Sequence, residues 1–122
     1  SRMVSNWKMF TNQPHRINQL KSMTSSNFNR FDDFVKFTTE VKNHHWLPQT
    51  LFVPKKINFV GKIEDFNKDI KTIFKFVNKP YENLSKINKT FESDFRKYYS
   101  KETKDLVAEI YKEDIKRFNY IF

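Results

Sequence analysis

The amino-acid sequence predicts a mainly α-helical chain with about one strand. Apolar residues recur every three or four positions in four stretches, the pattern of helices that bury one face. Only one short stretch, "KINFVGKIE", alternates in the manner of a strand. At 122 residues, with Phe 14, Tyr 5 and Trp 2, the chain carries enough large apolar groups to close a single core, which argues against disorder.

In chain order, "SRMVSNWKMF" puts Met3, Trp7 and Phe10 on one helical face with Val4 beside them. "TNQPHRINQLKSMTSSNFN" is polar, with Pro14 and a Ser/Asn cluster, and reads mostly as loop. "RFDDFVKFTTEV" spaces Phe31, Phe34, Val35, Thr38 and Val41 as a helix, and Asp32 and Asp33 suit the positive end of its dipole. "HHWLPQ" breaks that helix, because Pro48 disfavours helical geometry at Leu47. The strand candidate follows, then "DFNKDIKTIFKFVN", a helix whose stripe is Phe66, Ile70, Ile73, Phe74 and Val77 and which Lys79-Pro80 stops. "PYENLSKINKTFESDFRKYY" reads as a long irregular connection. Ser100 is placed as an N-cap, with Glu102 in the first turn of a final helix. That helix presents Leu106, Val107, Ile110, Tyr111, Ile115 and Phe118 on one broad face. One strand is not a sheet, so its partners are expected outside this chain. The start on Ser1, inside a helical pattern and without an initiator Met, reads as part of a longer protein.

The formal charge of +9 points to an anionic partner such as nucleic acid, phosphate, sulfate or an anionic sugar. Its distribution is uneven: Arg2, Lys8, Arg16, Lys21 and Arg30 precede the first acid, Asp32. Several chemistries are excluded. Cys 0 removes disulfides, thiolate metal sites and cysteine nucleophiles. His15, His44 and His45 have no spacing that converges on a metal, since neighbouring side chains diverge on a regular element. Gly61 alone cannot build a phosphate-cradling loop, which needs bare backbone N–H groups. No nucleophile elbow accompanies the serines. Basic and aromatic residues interleave in "NRFDDFVKF" and "FRKYYSK", so a small basic helical nucleic-acid-binding module stays open as an alternative. A remnant with no ligand stays open too.

Four segments together resemble the C-terminal half of the family-2 and carbohydrate-type sulfotransferases, which move a sulfuryl group from 3′-phosphoadenosine 5′-phosphosulfate (PAPS) to a hydroxyl. They are "SRMVSNW", similar to the tail of the family's 3′-phosphate motif; "HWLPQ"; "INFVGKIEDFNKDI"; and "YYSKETKDLVAEIYKEDIKRFNYIF". The resemblance implies an α/β, three-layer fold related to the P-loop kinases, of which this chain would be the mainly helical C-terminal portion. The 5′-phosphosulfate loop and the catalytic base would lie upstream. Ser5 matches the family's 3′-phosphate serine, and Arg2 the second arginine of that motif. Arg96 and Lys97 occupy the position of a basic loop that closes over the donor. His45 and Trp46 belong to a landmark beside the acceptor cleft, with Trp46 buried and a neutral His45 able to orient a hydroxyl. The absence of cysteines in "TLFVPKK", where animal Golgi members often carry them, implies a bacterial-type cytoplasmic relative.

Overall fold

The apolar repeats fold into helices wherever the backbone can close its own hydrogen bonds. The computed structural model describes residues 1–26, 28–82 and 94–121. Among them are α1 (Arg2–Asn12), α2 (Pro14–Met23), α3 (Phe31–Glu40), α4 (Phe66–Phe76), α5 (Lys101–Ile110) and α6 (Lys112–Phe118). Two 3-10 turns, Gln49–Leu51 and Phe95–Tyr98, complete the set. The chain divides into a larger unit, Ser1–Phe52 with Thr90–Phe122, and a smaller one, Val53–Lys89.

In the larger unit α1 packs on α2 and α3, and α3 on α5. Its core is aromatic. Met3, Val4 and Phe10 of α1 meet Leu20 of α2 and Phe31, Phe34, Val35 and Phe37 of α3, with Phe28, Trp46 and Tyr111 closing the cluster. Trp46 lies at the centre: Phe10, Phe34 and Phe37 approach it edge-on, with ring centroids at 5.6, 5.7 and 5.9 Å. Ser100 caps α5 as expected. Its hydroxyl accepts from the Thr103 backbone N–H at 3.2 Å, while the Thr103 hydroxyl accepts from the Ser100 N–H at 3.0 Å.

Three sequence expectations need correction. The segment read as loop contains α2, because Pro14 at the first helical turn has its φ preset and lacks only an N–H that would be unpaired there. The final helix is two helices: Tyr111, at φ −105° and ψ 21°, breaks it between α5 and α6. The strand expected in "KINFVGKIE" does not form, and no strand occurs among the described residues. No backbone among the described residues pairs with it, and Ile57, Phe59, Val60 and Ile63 stay exposed. The connection read as irregular falls largely at 83–93, outside the described residues; its end forms the turn Phe95–Tyr98.

The smaller unit is built on α4. The Asp69 carboxylate accepts the Lys62 backbone N–H at 2.7 Å, drawing the preceding loop onto the helix. Asn78, at φ 53°, takes the left-handed turn that ends α4, and the Lys79 N–H returns to the Phe74 carbonyl at 2.9 Å. This places Tyr81 edge-on to Phe74 at 5.7 Å. Lys71, Lys75 and Lys79 flank the resulting open cleft of about 540 Å³.

Candidate functional site

The segment His44–Thr50 has almost no secondary structure of its own, so its backbone groups need partners. Side chains from both ends of the chain supply them. Arg2 donates from Nη1 to the Leu47 carbonyl at 2.6 Å and from Nη2 to that of His44 at 3.4 Å. Asn6 Nδ2 donates to the His45 carbonyl at 2.7 Å. The Tyr111 hydroxyl donates to the Trp46 carbonyl at 2.9 Å. The carbonyls of four successive residues, His44 to Leu47, are thus held by α1 and by the α5–α6 junction. On the other side of Pro48, the Asp114 carboxylate accepts the N–H groups of Gln49 at 2.7 Å and Thr50 at 2.8 Å. Asp114 is only 5% exposed, and a buried carboxylate is tolerable because both its oxygens are bonded. The indole N–H of Trp46 donates to the Val41 carbonyl at 2.7 Å, tying the loop to the end of α3.

Within this frame His45 is half-buried, its ring edge-on to Phe10 at 5.2 Å. Its backbone N–H donates to Asn43 Oδ1 at 3.0 Å, and its Nε2 lies 3.1 Å from Arg16 Nη1. Burial, then the charges of His44, Arg16 and Arg2, depress its pKa below the ordinary 6.5, favouring the neutral ring. Tyr111 is pushed up to about 12, chiefly by burial, so its hydroxyl keeps its proton and remains a donor.

A second set of candidates lies on α1 and in the turn beside it. Ser5 is exposed in that helix, the first turn of α1 holds no acid, and no side chain caps it. Its early backbone N–H groups therefore form a positive end suited to an anion. Lys8, three residues on, shares that side of the helix with Ser5. The turn Phe95–Tyr98 packs beside Trp7 and Lys8: the Tyr98 ring is 5.4 Å from that of Trp7, and Lys8 and Lys97 place their ammonium groups 5.0 and 5.3 Å from the Tyr98 ring centroid. The Ser1 and Tyr99 hydroxyls share a hydrogen bond at 2.7 Å, fixing the turn against the start of α1. A groove of about 260 Å³ lies here, lined by Trp7, Lys8, Asn12, Asn29 and Tyr98 among others.

Ser5 is thus exposed on α1 and Lys97 lies over Tyr98, while Arg96 stands exposed in the same turn with its guanidinium 5.0 Å from the Phe95 ring. Arg2 faces the loop rather than the outer face of α1. Trp46, 2% exposed, holds the loop from within the core. Sequence reading missed Asn6, Arg16, Tyr111 and Asp114 as loop partners. The Tyr-x-x-Asp spacing in the last segment was the available signal, since residues three apart on helical backbone share a face. Among the described residues no group of three or more His, Asp or Glu could hold a metal, and no helix is long and apolar enough to cross a membrane.

The model of the Sulfotransferase family matches residues 1–121. The chain belongs to this family, and two of the segments that carried the resemblance, His45–Gln49 and the one containing Tyr111 and Asp114, bind each other directly in the fold. No curated protein and no solved structure matches the chain.

Proposed function

We propose that this chain contributes the 3′-phosphate end of a PAPS site and the adjoining acceptor loop to an enzyme that transfers a sulfuryl group to a hydroxyl, that of a carbohydrate. Family membership supports sulfuryl transfer. The observation that carries the finer reading is the uncapped, acid-free start of α1 with Ser5 exposed on it, together with Lys8 on the same side of the helix and its ammonium over Tyr98 of the turn that bears Lys97. A phosphate set there would meet helix N–H groups, a hydroxyl donor and two ammonium ions. Arg96 and Lys97 would cover the nucleotide from the turn Phe95–Tyr98, and Arg2 would connect donor to acceptor by holding the loop. His45 would face the acceptor hydroxyl, with Trp46 as the anchor beneath it. One glycine is too few for a 5′-phosphosulfate loop, so this chain is read as a partial sulfotransferase domain. In the complete enzyme the larger fold would be the three-layer α/β type. Sulfuryl transfer spreads negative charge over the moving group, so cationic positioning is what such a site needs to supply.

Calorimetry with 3′,5′-adenosine bisphosphate tests the donor end. Binding is expected to weaken with added salt. Replacing Ser5 by Ala is expected to cost about 1.5–3 kcal/mol, the worth of a hydrogen bond to a charged group, which is roughly 10- to 150-fold in Kd. Unchanged affinity in Ser5→Ala and in Lys8→Ala would remove the phosphate from this helix.

A further inference from the structure

The partners of His45 determine where its proton sits. Arg16 is a guanidinium that stays charged and can only donate, so the 3.1 Å contact from its Nη1 makes His45 Nε2 the acceptor. A neutral imidazole that accepts at Nε2 carries its hydrogen on Nδ1. We propose that Arg16 is a positioning residue that fixes His45 as the neutral, Nδ1-protonated tautomer, so that His45 offers an N–H donor and has no free lone pair with which to act as a general base.

The contact is supported from several sides. Arg16 is itself steered by Gln19, whose Oε1 accepts from Nη1 at 2.9 Å, and its guanidinium carbon lies 5.8 Å from the centroid of the Phe10 ring that flanks His45. The His45 backbone is fixed at both its N–H and its carbonyl, by Asn43 and Asn6, so the ring has little freedom to leave Arg16. No protein group among the described residues takes a hydrogen from Nδ1. The half-exposed ring therefore has one donor available for an oxygen atom of a ligand. The groups facing it that oppose a second proton are Arg16 from α2, Arg2 from α1 and His44 beside it. If the loop serves the acceptor, as proposed above, His45 orients the hydroxyl by donating to its oxygen, and the proton leaves to another group. That consequence rests on the proposed function; the tautomer does not.

Long-range proton–nitrogen correlation spectra of the full chain at neutral pH, with His15→Gln and His44→Gln used for assignment, read the tautomer directly. The expected result is a His45 ring with hydrogen on Nδ1 only and a titration midpoint below 6.5. In Arg16→Met the midpoint is expected to rise towards the ordinary histidine value and the tautomers to mix, while Arg16→Lys retains the low midpoint. Hydrogen on Nε2 in the unmodified protein overturns the proposal, as does a folded Arg16→Met variant whose His45 spectrum is unchanged. If Arg16→Met does not fold, the spectrum of the unmodified chain still decides. Failure of the chain to bind 3′,5′-adenosine bisphosphate would count against the donor site and leave this result standing.

Discussion

Tyr111 shows how one buried hydroxyl can serve both stability and the site. Its proton is committed to the Trp46 carbonyl, and burial raises its pKa to about 12 against an ordinary value of 10. The folded state therefore prefers the neutral form more strongly than the unfolded chain does. The associated stability is fully present below pH 10 and is lost as pH rises from about 10 towards about 12. Its size is on the order of 2–3 kcal/mol. Denaturant unfolding across that window should show the decline, and Tyr111→Phe should lack most of it. Tyr99 adds a smaller term of the same sign, since burial raises it while its bond to Ser1 opposes the rise. A Tyr111→Phe protein with the same pH dependence as the unmodified chain would place the alkaline loss elsewhere.

At the scale of elements, the loop His44–Thr50 is tied to helices from both ends of the chain. Asp114 on α6 holds both N–H groups that follow Pro48. Asp114→Asn keeps the shape but leaves one of those N–H groups facing an amide donor, and is expected to destabilise the protein by about 1–3 kcal/mol. Chemical denaturation measures that cost; no loss of stability would mean that the 3-10 turn holds without α6. Much at this scale was legible in the sequence. The stripe Phe31, Phe34, Val35 and Thr38 gave α3, Ser100 gave the start of α5, and Trp46 was expected inside. What escaped reading has physical causes. α2 is too polar to show a stripe, with Leu20 and Met23 its apolar contributions to the core. No Gly or Pro marks the break at Tyr111, and the apolar spacing runs straight through it. The apolar run Ile57–Val60 has the composition of a strand, but pairing requires a second backbone.

Over the whole molecule, the contacts that define the site join residues far apart in sequence. Arg2 reaches Leu47 across 45 positions, and Tyr111 reaches Trp46 across 65. Local periodicity carries no trace of such pairs: Ser5 and His45 were reached through motif resemblance, and the long-range partners Asn6 and Arg16 were not. The fold gives these distant pairs a common purpose: α1 turns its inner face to the loop that carries His45, and the proposed anion site would lie on its outer face. Hydrogen–deuterium exchange of the full chain, with and without saturating 3′,5′-adenosine bisphosphate, tests that arrangement most directly. Added protection is expected over Arg2–Asn12 and Phe95–Tyr98, with α4 unchanged. Protection confined to Phe66–Phe76, where Lys71 and Lys75 lie, would contradict it.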